Sequence, residues 1–452
     1  MTKKSPLDSV PHVEKVLRAL GEADPARPAI RAVVRRELAA LRAKNIAPGF
    51  DELLAASRSA LDSLRASRIQ PVINGTGVLI HPERGHPPLG GEVAETLQSV
   101  AANYTNLEFD AADDGQAGCA AFLEHNLALL CGAEAAAVVN NSAAALLLVL
   151  RHFNARARKE VVVSRGELIQ TDASRVAEII KASGATLRKA GTATRTSPDH
   201  YHKVIGNQTA VILRAHGSGV AVGDPLNSPS SGEIAALARN HRVPLVVYLF
   251  NGGAEMLGLA SSGQAPAAAE ALKHGADVAC FSGGALLGGP QAGIIASTSK
   301  RVAALKKDSL FPALRCDKLL LSALQTTIDL HLTGQGSIPV LAMLRVSLEE
   351  LHARARRILT AIEALPMKIT VNEGRSQMGG GATPRSAAPS VTIELQPLVM
   401  SLEEFAARLR AGTPPVIGRI EDERLKLDLR TIFPRQDETL FRAIHQAFAK
   451  SA

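Results

Sequence analysis

Short apolar runs alternate with amphipathic segments through the middle of the chain. Runs rich in β-branched residues predict strands over 136–140, 160–164, 185–189, 210–214, 244–249 and 276–281. Apolar positions at three- and four-residue spacing predict helices between them, as over 120–131, 143–154 and 230–241. Such alternation predicts an α/β fold, with a mostly parallel sheet covered by helices on both faces.

The two ends of the chain follow other patterns. Helical spacing recurs over 11–20, 29–43 and 50–68. Past the middle, the pattern predicts long helical stretches over 319–332 and 339–364, strands over 368–372 and 390–395, a helix over 402–411, a hairpin pairing 415–420 with 424–428, and a last helix over 438–449. Residues 378–389, rich in small residues and Pro, predict a mobile surface loop.

These patterns predict three domains. Residues 1–66 form an N-terminal helical domain, and residues 67–330 form the large α/β domain. Residues 331–452 form a connecting helix and a small C-terminal α+β domain.

A glycine-rich turn follows the strand that ends near Phe281. The sequence from Ala279 to Gly293 predicts a strand, a tight turn and a return strand. Such a turn lets the backbone approach a ligand closely and can present one reactive side chain. Here the turn carries no reactive side chain.

Other strand ends carry small polar groups. Asn140, Asn141 and Ser142 end one strand and open a helix, where free backbone N–H groups bind anions. Ordinary capping of the helix is the alternative interpretation. Asp224-Pro225 and the segment 248–253 also lie at predicted strand ends, so these segments outline one cleft.

The net charge of the chain points to a possible nucleic-acid partner. The 452 residues carry a formal charge of +8, with arginines concentrated between positions 31 and 68. This balance is compatible with a polyanion such as RNA, and a solvated helical face is the alternative. The chain has no tryptophan and 3% aromatic residues, which disfavours stacking of bases on an aromatic platform.

The cysteines and the hydropathy profile set further expectations. Cys119, Cys131, Cys280 and Cys316 lack the spacing of metal ligands, so we expect reduced thiols, mostly buried, and no metal site. No apolar run approaches the ~18 residues of a membrane span, and no apolar core follows the N-terminus. We therefore expect a cytoplasmic protein with no membrane partner.

A series of short motifs in order resembles one family. They are Asn74-Gly75-Thr76-Gly77, the segment 104–110, the Asn140 turn, the segments 164–168, 281–283 and 286–293, Asp317-Lys318-Leu319 and Ile417-Gly418-Arg419-Ile420. Over essentially its whole length the chain resembles bacterial selenocysteine synthase, L-seryl-tRNA(Sec) selenium transferase. The resemblance implies a fold type I enzyme that uses pyridoxal phosphate, with an N-terminal domain that binds tRNA(Sec), assembled as a homo-dimer or a ring of dimers. It implies that seryl-tRNA(Sec) loses water and accepts selenium from selenophosphate.

The chain departs from that family where reactive groups are needed. The family pattern at the glycine-rich turn is Ser-Gly-Asp-Lys-Leu-Leu-Gly-Gly-Pro-Gln, and its Asp and Lys positions are Gly284 and Ala285 here. The lysine forms the Schiff base with the cofactor. The carboxylate that serves the pyridine nitrogen is replaced by Tyr248, and a phenol is not an anion at neutral pH.

Positions expected to bind oxyanions also differ. The family arginine after its His-Thr-Asn-Leu-Gly is His86, and an arginine pair expected to hold the selenium donor maps to Pro312 and Arg315. A Gly-Ser-Arg-Tyr run reads Gly118-Cys119-Ala120-Ala121. Losing bidentate arginines weakens recognition of a phosphate-like anion.

What remains could bind ligands without performing the chemistry. The resemblance assigns Asn140, Asn141, Ser142 and Ser282 to the cofactor phosphate and Arg315 to the substrate anion, and it leaves no catalytic residue intact. We predict a catalytically degenerate paralogue, in which covalent attachment of pyridoxal phosphate is not expected. The alternatives are an active transferase with non-covalent cofactor or a substitute lysine, an RNA-binding or assembly partner of an active paralogue, and a relative acting on a small amino acid or sugar amine.

Overall fold

The computed structural model describes residues 13–20, 27–43, 49–81, 87–107, 120–154, 157–170, 173–216, 229–249, 268–379 and 387–449. The helices of these segments are α1 (Val13–Leu20), α2 (Arg27–Ala43), α3 (Phe50–Ala66), α4 (Gly91–Ala102), α5 (Ala121–Cys131), α6 (Ser142–Asn154), α7 (Arg165–Gln170), α8 (Ala173–Ala182), α9 (Pro198–His202), α10 (Ser231–His241), α11 (Ala268–Lys273), α12 (Ser299–Lys306), α13 (Lys318–Thr333), α14 (Pro339–Arg345), α15 (Leu348–Ile362), α16 (Leu402–Ala411) and α17 (Asp437–Phe448).

The strands form three sheets. They are β1 (Ile73–Asn74), β2 (Val78–Ile80), β3 (Ala135–Val139), β4 (Glu160–Ser164), β5 (Thr186–Ala190), β6 (Thr209–His216), β7 (Leu245–Leu249), β8 (Val278–Ser282), β9 (Gly293–Ser297), β10 (Met367–Gly379), β11 (Ala387–Pro397), β12 (Val416–Ile417), β13 (Arg419–Glu421) and β14 (Arg424–Asp428). A seven-stranded sheet has the order β3-β9-β8-β7-β6-β4-β5, a five-stranded sheet the order β13-β14-β11-β10-β2, and β1 pairs with β12.

The chain divides into two compact units. The first comprises Met1–Ile73, Glu403–Ile417 and Arg442–Ala452, and the second comprises Asn74–Leu402 and Gly418–Phe441. In the first unit, α1 to α3 enclose a small apolar core that includes Val16, Val34 and Leu53, all with no exposed surface. The predicted N-terminal helices are thus confirmed, while the limits of the three predicted domains stay a prediction.

The strands of the large sheet of the second unit are buried on both faces, except for the edge strand β5, which is largely exposed. Its neighbours β5, β4, β6, β7 and β8 run parallel, whereas β9 runs antiparallel to both β8 and β3. Along β8, Val278 and Cys280 face one apolar core while Ala279 and Phe281 face the other. Near-continuous apolar runs are typical of such doubly covered parallel strands, and this is why the sequence identified them.

The predicted C-terminal elements need two corrections. The prediction of one helical stretch over 339–364 is wrong, because two separate helices, α14 and α15, occupy this segment. There the Ser347 hydroxyl accepts the Glu350 N–H at 3.2 Å while the Glu350 carboxylate accepts the Ser347 N–H, a capping box that starts a new helix. The predicted surface loop over 378–389 is also longer than the observed connection, since β10 extends to Gly379 and β11 starts at Ala387. The residues between them lie outside the described segments.

A buried carboxylate joins three strands of the small sheet. The hydroxyls of Ser376 on β10 and Ser390 on β11 donate to Asp428 on β14, and so does the backbone N–H of Arg430. Asp428 is 1% exposed, so these donors replace water around its charge. Gly77 lies against the same carboxylate.

The Arg430 side chain continues this network toward α14. Its guanidinium is buried and donates to the backbone carbonyls of Met343, Val346 and Pro389. Met343 belongs to the last turn of α14, where carbonyl groups lack partners within the helix. The end of the small sheet therefore fixes the helix that packs on the glycine-rich turn.

We expect Gly77→Ala to lower the free energy of unfolding by about 3 kcal/mol. Gly77 has φ +73°, and a Cβ there would lie 2.5 Å from the Asp428 carboxylate oxygen. Gly132→Ala is the matched control, because Gly132 has φ +59° but no atom within 4 Å of that Cβ, so only backbone strain of about 1 kcal/mol applies. Urea denaturation measures both; equal losses would contradict the close contact.

Candidate functional site

The candidate site lies where three strands of the large sheet end in one row. The register pairs Gly293, the first residue of β9, with both Val139 at the end of β3 and Ser282 at the end of β8. Next to it, Leu249 at the end of β7 pairs with Phe281. The predicted site residues that follow β3 and end β8 therefore lie at the same edge, as expected for an α/β sheet.

Gly293 permits a close approach at this edge. A Cβ at this position would overlap the backbone carbonyl of Asn141. The missing side chain lets the first turn of α6 lie directly against the start of β9. Hence the start of the helix is held within reach of the ends of β7 and β8.

The start of α6 is capped by its own sequence. The Asn141 side-chain oxygen accepts the Ala144 N–H at 2.9 Å, and the Asn141 amide donates to the Asn140 side-chain oxygen at 3.3 Å. Capping of the helix, the alternative interpretation of this motif, is thus confirmed for Asn141. Whether Asn140, Asn141 and Ser142 also bind a phosphate stays a prediction.

Tyr248 contacts the first residue of that helix. Its phenolic oxygen lies 3.1 Å from the Ser142 hydroxyl, and either group could be the donor. The tyrosine is 3% exposed and packs in the core between the sheet and α6. Because the contact joins positions that are 106 residues apart, sequence reasoning identified both residues but not their hydrogen bond.

The glycine-rich turn is closed by backbone hydrogen bonds. Gly283 donates to Ala292 at 2.9 Å, and Gly289 donates to Gly283 at 3.0 Å. The Ser282 hydroxyl, predicted to bind phosphate, accepts the Gly284 N–H at 3.2 Å. The predicted strand, turn and return strand are confirmed.

Ala285, at the predicted position of the Schiff-base lysine, is buried within the turn. It is 3% exposed and belongs to an apolar cluster with Leu79, Ile80, Leu286, Val340, Leu341 and Met343. Most of this apolar environment is contributed by β2 and α14. A methyl group fits there, whereas an ammonium group would lose its hydration.

Arg315 lies beside the start of α6. It follows the 3₁₀ turn Pro312–Leu314, and the Asn140 N–H donates to the Leu314 carbonyl at 2.9 Å. Arg315 is exposed, as is Pro312 at the other arginine position of the resemblance. Arg315 thus directly follows the residue that contacts Asn140. Its binding of a substrate anion stays a prediction.

A buried ion pair supports the neighbouring strand ends. Glu167 on α7 accepts from the Arg214 side chain and, at 3.0 Å, from the Ala215 N–H. Burial raises the pKa of the Glu167 carboxyl, and the Arg214 charge opposes that rise. The sequence motif 164–168 contained the glutamate, but nothing in it identified Arg214 as the partner.

Other predicted positions lie outside the described residues. They are His86, Cys119, the Asp224-Pro225 pair and residues 250–253. Cys131, Cys280 and Cys316 are buried thiols that form no disulfide with a described residue, as predicted, and burial raises the pKa of the Cys131 thiol to about 12. Within the described segments there is no group of three or more His, Cys, Asp or Glu suited to a metal, and no helix has the length and apolarity that crossing a membrane requires.

The residues at this edge do not fit a covalently bound pyridoxal phosphate. Its aldehyde needs a lysine amine and its pyridine nitrogen needs an anion. Ala285 supplies a methyl group, and Tyr248 supplies a neutral hydroxyl that already contacts Ser142. No step of a reaction is therefore assigned to these side chains.

We expect His331→Gln to reduce the loss of stability at mildly acidic pH. The His331 Nε2–H donates to the Leu287 carbonyl of the glycine-rich turn at 2.8 Å, and burial lowers the pKa of this imidazole. Below pH ~6.5, the ordinary pKa of histidine, the unfolded chain binds a proton that the folded chain does not. The free energy of unfolding therefore decreases as the pH is lowered. Glutamine keeps an N–H donor but does not titrate.

The free energy of unfolding, measured at pH 7.5 and about pH 5.5, checks this expectation. Replacing His125, exposed on α5, by Gln controls for the removal of one imidazole. An unchanged pH dependence in the His331 variant would show that this imidazole does not couple protonation to folding.

Comparison with known proteins assigns the family. The family profile described as "SelA: L-seryl-tRNA selenium transferase" matches residues 72–433. The chain is 38% identical over 446 residues to the L-seryl-tRNA(Sec) selenium transferase of Geotalea uraniireducens, covering 94% of this chain and 96% of that protein. It is 36% identical over 467 residues to the protein of the same name from Desulfovibrio desulfuricans, covering 98% of each.

A solved structure shows the same fold. D-Glucosaminate-6-phosphate ammonia-lyase superposes with a TM-score of 0.61 at 17% identity, over 84% of this chain and 96% of that one. The predicted α/β fold of the fold type I class is confirmed. The family profile and the two relatives, each matched over most of the chain, show that this protein belongs to the L-seryl-tRNA(Sec) selenium transferase family.

Proposed function

We propose that this protein is a catalytically degenerate member of its family, which keeps the fold and binds tRNA(Sec) but does not transfer selenium. The observation that carries the proposal is Ala285, which stands at the lysine position of the glycine-rich turn and is buried among apolar side chains. An alanine has no amine with which to form a Schiff base or move a proton.

Lysines elsewhere give little support for a substitute. The sequence has none between Lys203 and Lys273 and none between Lys273 and Lys300, the segments that include the ends of β7 and β8. The nearest lysine after the 3₁₀ turn, Lys318, donates to the Asn103 carbonyl at 2.8 Å. This distribution supports loss of covalent attachment rather than its transfer to a neighbour.

Two further positions support the same conclusion. Tyr248 stands where a carboxylate would keep the pyridine nitrogen protonated, and the cofactor is a stronger electron sink with that nitrogen charged. Of the arginine pair expected to hold the selenium donor, Arg315 is present and the other position is Pro312. One guanidinium binds an oxyanion less tightly than a pair.

The proposed tRNA contact lies on the N-terminal helices. Arg35 and Arg42 on α2 and Arg58 on α3 are exposed and have no ion pair with any described residue. Free guanidinium groups on one helical unit suit the phosphates of an RNA. The relatives' shared name, L-seryl-tRNA(Sec) selenium transferase, indicates which RNA to test.

The proposal includes assembly and location. We place the protein in the cytoplasm, since its proposed RNA partner is a transfer RNA. We propose a homo-dimer or a ring of dimers, as the family resemblance implies. An assembly partner of an active paralogue would use the same tRNA-binding surface and the same subunit contacts.

An active transferase is the second candidate function. Identities of 36% to 39% over 94% or more of the chain to relatives carrying that name favour it. It requires pyridoxal phosphate held without a covalent bond or a lysine from elsewhere. Incubation with pyridoxal phosphate, borohydride reduction and peptide mapping test the form with a substitute lysine, since one stoichiometrically modified lysine would select the active enzyme. Formation of selenocysteinyl-tRNA(Sec) by the unchanged protein tests the form with non-covalent cofactor.

We expect Ala285→Lys alone to leave selenium transfer undetectable. Tyr248, His86 and Pro312 would remain, so neither the pyridine nitrogen nor the donor anion would be served. Formation of selenocysteinyl-tRNA(Sec) from seryl-tRNA(Sec) and selenophosphate is the measurement. Full activity after this single change would contradict the proposal.

The same variant is expected to be less stable than its control. Ala285→Met adds a side chain of similar length without charge, whereas the lysine ammonium must be desolvated in the apolar cluster. The expected difference between the two variants is about 2 kcal/mol. Urea denaturation of both variants separates charge from size.

We expect replacement of Arg35, Arg42 and Arg58 by Gln to weaken tRNA(Sec) binding and its salt dependence. Removing three phosphate contacts reduces the magnitude of the slope of log binding constant against log salt concentration by about 2. The matched control replaces Arg242, Arg356 and Arg357, which are exposed in the other unit and remove the same charge. Equal weakening by both sets would argue against binding by the N-terminal helices.

A further inference from the structure

The Tyr248 side chain connects two positions that the family resemblance assigns to one cofactor, the partner of its pyridine nitrogen and a ligand of its phosphate. Position 248 on β7 corresponds to the carboxylate for the pyridine nitrogen, and Ser142 at the start of α6 belongs to the phosphate site. Here the two side chains touch directly, with 3.1 Å between their hydroxyl oxygens. The phenol ring therefore fills the space from β7 to the start of α6, where a pyridine ring bearing a phosphate would have to lie.

The surroundings of Tyr248 keep its ring in place. The strand register sets Tyr248 beside Ala215 on β6 and Cys280 on β8, both fully buried. Above it lies the first turn of α6, where Ala144 and Ala145 belong to the same apolar core. An aromatic side chain enclosed on these sides has few alternative rotamers, because protein interiors are close-packed.

The helix cannot easily move away from the ring. Gly293 holds the Asn141 carbonyl against the start of β9, and the Asn140 N–H is bonded to Leu314. Opening the space by shifting α6 would break both contacts. The space can therefore be regained only by removing the ring itself.

We propose that the Tyr248 side chain occupies the cofactor position, so that the site is closed to pyridoxal phosphates even as non-covalent ligands. This inference deepens the proposed loss of catalysis, on which it rests, and it adds a separate physical cause. Loss of the lysine at position 285 removes covalent chemistry, whereas the phenol at position 248 removes the space. It also specifies the ligand class that a smaller residue at position 248 would admit, a pyridine ring bearing a phosphate.

Pyridoxine 5′-phosphate is the probe for the test. It has the ring and phosphate of the cofactor but an alcohol in place of the aldehyde, so it cannot react with surface lysines. Equilibrium dialysis with the full chain measures its binding. We expect no saturable binding to the unchanged protein and saturable binding to Tyr248→Ala, with a dissociation constant lower by roughly tenfold or more.

Two controls separate the ring from its hydrogen bond. Tyr248→Phe keeps the ring and loses only the hydroxyl, and Ser142→Ala removes the partner hydroxyl while the ring stays. Neither variant is expected to bind pyridoxine 5′-phosphate. Binding to either one as tight as to Tyr248→Ala would overturn the inference, because the ring would then not be the obstacle.

Folding of the variants is checked by circular dichroism and gel filtration. Tyr248→Leu is a second opening variant that keeps more apolar packing than alanine and is also expected to bind. Folded Ala and Leu variants that both fail to bind would overturn the inference, and so would saturable binding by the unchanged protein. These results do not contradict the proposed loss of catalysis. That proposal is contradicted instead by a borohydride-stable adduct on one lysine of the unchanged protein.

Discussion

The close approach of Asn141 to Gly293 is the constraint on which the candidate site depends. A single side-chain carbon at Gly293 would overlap the Asn141 carbonyl, so the first turn of α6 and the antiparallel strand β9 are compatible only through glycine. That contact sets the distance from the start of the helix to the ends of β7 and β8. The hydrogen bond between Tyr248 and Ser142 follows from this spacing.

The fold and the chemistry of this family depend on different residues. The fold is stabilised by strands buried on both faces and by turns closed with backbone hydrogen bonds, none of which requires a lysine at position 285. Alanine at position 285 places a methyl group, and no ionisable group, in this apolar cluster. The contacts that stabilise this fold therefore lie at positions other than 285.

The sequence predicted the elements whose signals are local. Continuous apolar runs identified β4, β7 and β8 to within two residues, because both faces of each strand are buried. The break after α14 was missed although Ser347 and Glu350 have capping-box spacing, since the apolar periodicity continues across it. At the site, Asn140, Ser142 and Ala285 could be placed from their motifs. The partners Tyr248 with Ser142 and Glu167 with Arg214 could not, because contacts between distant positions leave no local pattern.

The tyrosine in the site also gives the protein an optical signal of its own. The chain has no tryptophan and three tyrosines, of which Tyr201 and Tyr248 are buried and Tyr104 is fully exposed. Emission from the exposed phenol can be quenched by a solute in water, whereas the two buried rings are shielded. Ultraviolet fluorescence of this chain therefore comes from few sources, and one of them is the side chain in the candidate site. Changes around the end of β7 can thus be followed without attaching a label.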